Sequence, residues 1–449
     1  MSTSTPAADG RPRIVILGGG FAGVSVAERL ERRLRPDEAS IALVSRENFT
    51  LFTPMLPEVS SGELEPRHIA TPIRAQLKRT TFVLGEITRL DLRLREVDAQ
   101  HVITGAMTHL AYDHLVLALG SVTSTFGIPG VEEYTLPLKS LEDAEVLRNR
   151  IVAALEQAVV TPPGPERDRL LTFVVVGGGY TGCECAGELV DLFRSIVPFY
   201  HPLRLVDVRM VLIEAGASLL PDLPPQMGRY TTRNLQRRKV ELMLGDGVTR
   251  IDRHAVALQS GRMVPSATIV WSAGVRPSPV LKDLDGVVHA RNGGIMVHQD
   301  FVALNRPEVW ALGDCAWIPT VADAQQSNRG DWYPQTAQHA IREGPALADN
   351  LVATLRGQPT KPFHFTALGT MASLGARTAV AALPGGIVLT GFPAWFLWRS
   401  YYLVRLPGLD RRFRVAIDWT LGLLFRRDIA ELRLYTQRTR DDAAIGERR

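Results

Sequence analysis

Six glycines in two places carry the clearest chemistry in this chain. Gly18, Gly20 and Gly23 follow the apolar run Ile14-Val15-Ile16-Leu17, with Phe21 and Ala22 between the second and third of them. Gly177, Gly179 and Gly182 follow the run Leu171 to Val176 in the same way. In a G-x-G-x-x-G set between a buried strand and a helix, the first glycine makes the tight turn and the second lets backbone approach a pyrophosphate. The third lets the helix pack on the strand, and the helix N-terminus attracts the phosphate charge. One such motif is weak, but two, about 160 positions apart, imply two nucleotides held by one chain.

The acids fit that reading. A ribose-binding carboxylate is expected where the second strand of each unit ends. In the second unit Val208 to Ile213 runs into Glu214, after an insertion over 191–207. A carboxylate there accepts from both ribose hydroxyls and repels a 2′-phosphate, favouring NADH over NADPH. In the first unit Ser40 to Val44 runs into Ser45-Arg46-Glu47, so either Ser45 substitutes or Glu47 reaches back. Tyr112 to Gly120 and Ser266 to Pro277 each read as a buried strand delivering a glycine turn, at Gly120 and Gly274, to a ligand. Val309 to Cys315 reads as a strand into Gly313, with Asp314 at the mouth of a helix. A carboxylate there suits a polyol such as a ribitol chain, or caps the helix.

These residues need two strand–turn–helix scaffolds, and 449 residues are too many for one core. At 45% hydrophobic and 22% charged, the composition is that of a globular protein. Three cysteines (183, 185, 315) make no disulfide framework. The polar residues 1–12 read as a frayed tail lacking the apolar core of a signal peptide. Phe21 to Leu34 reads as a helix, the proline-rich Asn48 to Gly62 as a rigid loop, and Glu132 to Gln157 as a charged helix. Residues 161–165 read as a linker.

The net charge is only +4, which argues against a nucleic-acid partner, but it is unevenly placed. Between Ile387 and Arg427 seven arginines (399, 405, 411, 412, 414, 426, 427) accompany two acids, Asp410 and Asp418. Ile387 to Val404 is apolar and aromatic, yet Pro393 interrupts it and Arg399 sits inside, against a membrane span. Phe413, Ile417, Leu421 and Leu424 follow at helical spacing. Arginines beside such faces suit an anionic lipid surface, with the helices lying on the membrane. The alternative is a core or dimer-interface helix pair.

GGGFAG, NFTLFTPMLP, YDHLVLALG, GGGYTGCECAGEL, VLIEAG, VWSAGVRP, VWALGDC and YPQTAQHA, in that order, resemble the type II NADH dehydrogenases. These are flavoproteins with two dinucleotide-binding domains, similar to glutathione reductase. The resemblance runs from about Arg13 to the C-terminus. It implies an α/β fold with two Rossmann-like domains and a C-terminal amphipathic membrane-attachment region. The expected division is a tail over 1–12, an FAD-binding domain over 13–165 and 300–350, an NADH-binding domain over 166–299, and a membrane or interface region over 351–449. It further implies FAD on the first fingerprint, with Thr53 and Pro54 near its isoalloxazine and Asp314 at its ribitol. NADH would sit on the second fingerprint with Glu214 at its ribose. Glu184 would lie close to the nicotinamide–flavin contact, and Gln338 would flank the flavin on the quinone side. In related fungal and plant enzymes a serine replaces the ribose acid, as at Ser45. The family's glutamine pair reads Arg342 and Glu343 here, which leaves the acceptor open.

The expected activity is NADH:quinone oxidoreduction without proton pumping, on the cytoplasmic face of the cell membrane, by a monomer or a homodimer. The flavin carries the chemistry, so neither a triad nor a metal site is expected. The cysteines read as packing residues, because no C-x4-C pair follows the first fingerprint. His339 reads as a buried histidine or a proton carrier. Two other readings stand beside this one: a ferredoxin- or rubredoxin-reductase-like enzyme, and a flavin- and NADH-binding sensor with a protein partner.

Overall fold

The structure is a computed structural model describing residues 3–4, 10–320, 332–366, 368–375 and 377–431. Strand β1 (Arg13–Leu17) feeds helix α1 (Phe21–Arg33) and pairs in parallel with β2 (Ser40–Ser45). Residues 14–17 are all buried, as a strand covered on both faces requires. The stretch expected as a loop over 48–62 is instead built inward. It contains a short strand (Phe49–Leu51), a 3-10 turn (Thr53–Met55) and helix α2 (Leu56–Ser60), whose five residues are all buried. The prolines do not open a loop here, because Pro54 and Pro57 sit in the first turns, where no amide donor is needed.

Strands β3 (Thr81–Asp91), β4 (Glu96–His101) and β5 (Met107–Ala111) form an antiparallel meander beyond β2. Of the expected tail, Thr3–Ser4 run parallel to β5, while residues 1, 2 and 5–9 lie outside the described residues. Strand β6 (His114–Leu117) returns beside β1, and β7 (Ser121–Thr123) leads to the second unit. The single helix expected over 132–157 is divided. Leu136–Pro137 pair with the second sheet, and α3 (Leu141–Val160) starts at a capping box between Ser140 and Asp143.

The second sheet is entirely parallel, in the order Leu136–Pro137, β10, β8, β9 and a final strand (Val240–Leu244), where β8 is Thr172–Val176, β9 is Arg209–Glu214 and β10 is Thr268–Trp271. Helix α4 (Tyr180–Ile196) follows β8 and, with two 3-10 turns, takes up the insertion expected over 191–207. Strand β11 (Val275–Pro277) runs back antiparallel to β7, so the two crossings between units lie side by side. Leu281, Leu284, Ile295 and Phe301 already belong to the first unit's core. The second sheet thus begins before the expected boundary at 166, and the chain returns to the first core before 300.

Strand β12 (Arg306–Ala311) completes the first nucleotide fold beside β6. The helix expected directly after Asp314 is only the 3-10 turn Gly313–Cys315, and the helix that packs there is α5 (Ala337–Leu355). Gly344 lets α5 approach α1 closely, since a Cβ there would come within 2.6 Å of the Ser25 Cβ. The C-terminal part is a three-stranded antiparallel sheet of β13 (Thr370–Ser373), β14 (Ala379–Ala382) and β15 (Val388–Gly391), followed by α6 (Phe392–Arg405) and α7 (Leu409–Leu424). The run expected over 387–404 is therefore an edge strand and then a helix, with Pro393 opening the helix rather than breaking it. No helix among the described residues is long and apolar enough to cross a membrane.

Candidate nucleotide and acceptor sites

The six glycines divide into two kinds. Gly18 has φ +116 and Gly177 φ +111. A side chain on Gly18 would overlap the Ala118 carbonyl, and one on Gly177 would come within 2.9 Å of the Ser272–Ala273 peptide. A side chain on Gly23 or Gly182 would strike the carbonyl of its own motif's first glycine. The chain itself demands those four. At Gly20 and Gly179, by contrast, nothing lies within 4 Å of the Cβ position. The protein has room for a side chain at both, so packing within the chain does not by itself require glycine there.

Register relates the two strand ends. β1 and β2 pair Leu17 with Val44, and β8 and β9 pair Val176 with Ile213, so the next residues, Ser45 and Glu214, are counterparts. Each lies against the extra glycine of its loop: a Cβ on Gly19 would meet the Ser45 Oγ at 2.5 Å, and one on Gly178 the Glu214 Cγ at 2.9 Å. Glu214 accepts from the Gly178 N–H at 2.5 Å and from the Gly216 N–H at 2.6 Å, one through each oxygen. Glu47, the alternative to Ser45, lies two residues past the strand, its side chain 55% exposed on the same cleft rim.

That cleft, about 980 Å³, brings together Gly20, Phe21 and Ala22, Ser45, Thr53, Gly120, Gly313 and Asp314 from the first unit with Trp271 and Arg276 from the second. Pro54 adjoins it on the same 3-10 turn as Thr53. Gly120 and Gly274 both have positive φ (+64 and +72), and Gly274 leaves room for the Phe126 ring. Asp314 accepts from the Ser121 Oγ at 2.6 Å, with the Lys139 Nζ at 3.5 Å. Neither Ser121 nor Lys139 stood out in the sequence. The only signal was that Lys139 immediately precedes the Ser140 capping box.

Glu184 and Gln338 do not line the cleft; from opposite units they bond the two ends of one strand, β13. Glu184, on α4, accepts from the Ser373 N–H at 2.9 Å, while Gln338, on α5, donates to the Gly369 carbonyl at 3.4 Å, just before β13. Burial pushes the Glu184 carboxyl up to about 8, with the Ser373 N–H easing it back. His339 is buried against the Tyr333 and Phe365 rings and bonds Thr336 at 2.8 Å, and burial lowers its pKa. All three cysteines are buried thiols. Burial raises each pKa, to about 12 for Cys185 and Cys315.

Glu343 resolves half of the departure at the glutamine pair. It is 2% exposed and accepts from the Gly313 N–H at 2.8 Å, on the turn that carries Asp314. Burial pushes its carboxyl up to about 8, and nearby Asp314 adds to the rise. Burial thus favours the neutral acid, which matches glutamine in shape and charge. Because its folded pKa is raised, its contribution to stability is full below the unfolded value of about 4.3, falls as pH rises, and is gone once the folded carboxyl ionises. Glu343→Gln should leave melting temperature unchanged near pH 5 and raise it relative to wild type near pH 9. Parallel melting curves across that range would count against a buried neutral acid.

Fold and site together define an oxidoreductase of the two-dinucleotide type. Residues 12–344 match the pyridine nucleotide-disulphide oxidoreductase family, and residues 368–428 match the NDH2 C-terminal domain. The chain is 32% identical to the type II NADH:quinone oxidoreductase NdhA of Mycobacterium tuberculosis, covering 95% of this chain and 90% of that protein. It is 33% identical to an internal alternative NAD(P)H-ubiquinone oxidoreductase of Arabidopsis thaliana, covering 94% and 86%. The NDH2 structure from Plasmodium falciparum, solved with NADH, superposes with a TM-score of 0.85 at 22% identity, over 94% of this chain and all of that one. The chain belongs to the type II NADH dehydrogenases of the pyridine nucleotide-disulphide oxidoreductase family.

Proposed function

We propose that this protein oxidises NADH and reduces a membrane quinone through a resident FAD, without pumping protons. The observation that carries this is the pair of register-matched cradles, with Gly20 and Gly179 open at their Cβ positions and Glu184 and Gln338 bonded at opposite ends of β13. Bound FAD supplies the two-electron chemistry. Gly18, Gly20, Phe21, Ala22 and Gly23 hold its pyrophosphate, Ser45 its ribose, and Gly120, Gly313 and Asp314 its ribitol side, with Thr53 and Pro54 beside the ring. Gly177, Gly179, Gly182, Glu214 and Gly274 hold NADH. Glu184 lies close to the nicotinamide–flavin contact, where burial favours its neutral form, and Gln338 flanks the flavin on the quinone side.

The purified protein is expected to be yellow and to oxidise NADH with ubiquinone or menaquinone analogues well above about one turnover per second. A correctly folded, colourless preparation that FAD cannot reconstitute would defeat this reading. Turnover with a ferredoxin but with no quinone would favour the protein-reductase alternative.

We also place the protein on the inner, cytoplasmic face of the cell membrane, attached without a span. Phe413, Ile417, Leu421 and Leu424 on α7 are 69%, 41%, 47% and 73% exposed, and Phe392 and Phe396 on α6 are 57% and 61% exposed. These side chains, with exposed Arg405, Arg414 and Arg426 around them, suit an anionic lipid surface. Not all seven arginines serve lipid, however. Arg399 and Arg427 point inward to carboxylates, and Arg411 and Arg412 bond the Arg67 and Leu406 carbonyls. Deleting the segment would therefore strip partners from buried acids, so point charges make the cleaner test. Phe413→Asp with Leu421→Asp should release the protein from anionic vesicles while NADH oxidation with water-soluble acceptors changes less than about twofold. Undiminished sedimentation with vesicles would remove this face from membrane binding.

A further inference from the structure

Under the C-terminal helices five charged side chains, none more than 13% exposed, alternate in sign. Arg399 reaches Glu58 at 3.3 Å and Glu63 at 3.0 Å, and Arg427 reaches Glu63 at 3.1 Å and Glu188 at 2.9 Å. The Arg399 guanidinium also lies between the Trp395 and Trp419 rings, 4.4 and 4.5 Å from their centres. Trp419 in turn donates to the second oxygen of Glu58 at 3.3 Å. Gly422 on α7 sits so close that a Cβ there would come within 2.9 Å of Glu63. A buried ion pair gains little stability over an apolar replacement of the same shape. What such pairs do best is fix register.

The register fixed here is that of α6 against the flavin-side segment. Trp395, Trp398, Arg399 and Tyr402 share one helical face. Tyr402 packs edge-on against Trp398 and against Phe52, the residue before Thr53 and Pro54, with ring centres 4.7 and 5.7 Å apart. Tyr402 and Trp398 also neighbour Glu184. The face that carries Arg399 thus packs beside Phe52 and Glu184, held by one terminal nitrogen, Nη2, that meets both carboxylates and by the two indole rings against the guanidinium. Lysine supplies no flat face for the two indole rings.

We propose that Arg399 is a positioning residue for the acceptor half of the reaction, clamping α6 through Glu58 and Glu63 so that Trp398 and Tyr402 shape the quinone approach. This rests on the function proposed above. Arg399→Lys should raise KM for a short-tailed, water-soluble quinone about tenfold, with kcat lowered less than about twofold. The rate at which NADH bleaches the bound flavin in the absence of acceptor should not change. Glu63→Gln, which keeps shape and removes the charge shared by both arginines, should show the same division. Flavin content and melting temperature report folding, and if Arg399→Lys does not fold, Glu63→Gln decides. An unchanged quinone KM in a folded variant overturns the proposal, as does a bleaching rate that falls in parallel with turnover. Wild-type protein with no quinone turnover would instead defeat the proposed function.

Discussion

Gly18→Ala should deprive the protein of its flavin and of much of its stability, whereas Gly20→Ala, two residues away, should remove the flavin and leave the stability. At Gly18 the backbone has φ +116, and the added Cβ would overlap the carbonyl of buried Ala118, which directly follows β6. Strain at such a φ and forced overlap together destabilise by about 2–5 kcal/mol, a large fraction of a domain's stability. Gly20 has an ordinary extended conformation and open space at its Cβ, so alanine there meets nothing of the protein. It would meet a pyrophosphate. Melting curves without added flavin should therefore show Gly20→Ala close to the wild-type apoprotein and Gly18→Ala well below it. Neither variant should purify yellow. If Gly20→Ala retains flavin as tightly as wild type, the dinucleotide does not lie where the cradle opens. The same pair in the second unit, Gly177→Ala and Gly179→Ala, should leave flavin content largely intact in the Gly179 variant and raise KM for NADH.

Wild-type enzyme should prefer NADH over NADPH by roughly 30- to 1,000-fold in kcat/KM, or about 2–4 kcal/mol. Glu214 is held at the end of β9 by two backbone donors, Gly178 and Gly216, one on each oxygen. That geometry aims the carboxylate across the loop. A 2′-phosphate would bring a second negative charge against it and lose the hydroxyl hydrogen bonds. Glu214→Gln removes the repulsion and should narrow the preference, mainly by improving kcat/KM with NADPH. Equal use of both cofactors by wild type would mean that Glu214 does not meet the ribose. Ser45, its counterpart in the first unit, carries no charge, so Ser45→Ala should weaken flavin retention only mildly.

Much of the site was legible because its signals are local. A glycine triplet behind an apolar strand encodes its own turn, and the acid at position 214 declares itself by ending the next strand. The conformation each requires is set within a few residues, as the positive φ at Gly18 and Gly177 shows. Asp314 was legible for the same reason, although the helix expected beside it comes from residues 337–355.

Tertiary structure decided what depends on partners distant in the chain. Arg399 within an apolar aromatic run reads as a lipid-facing charge until Glu58, 341 positions away, is brought beside it. Asn48 to Gly62 reads as a loop until α3 and α4 bury it, and Glu343 reads only as a departure from the glutamine pair until burial raises its carboxyl pKa. Strand pairing likewise moved the boundary between units, since Leu136–Pro137 join a sheet whose next member in space is residues 268–271. A residue's type fixes which charges and shapes it can present. Whether that charge is solvated, paired or neutralised is set by burial, and burial is a property of contacts that sequence neighbours do not make.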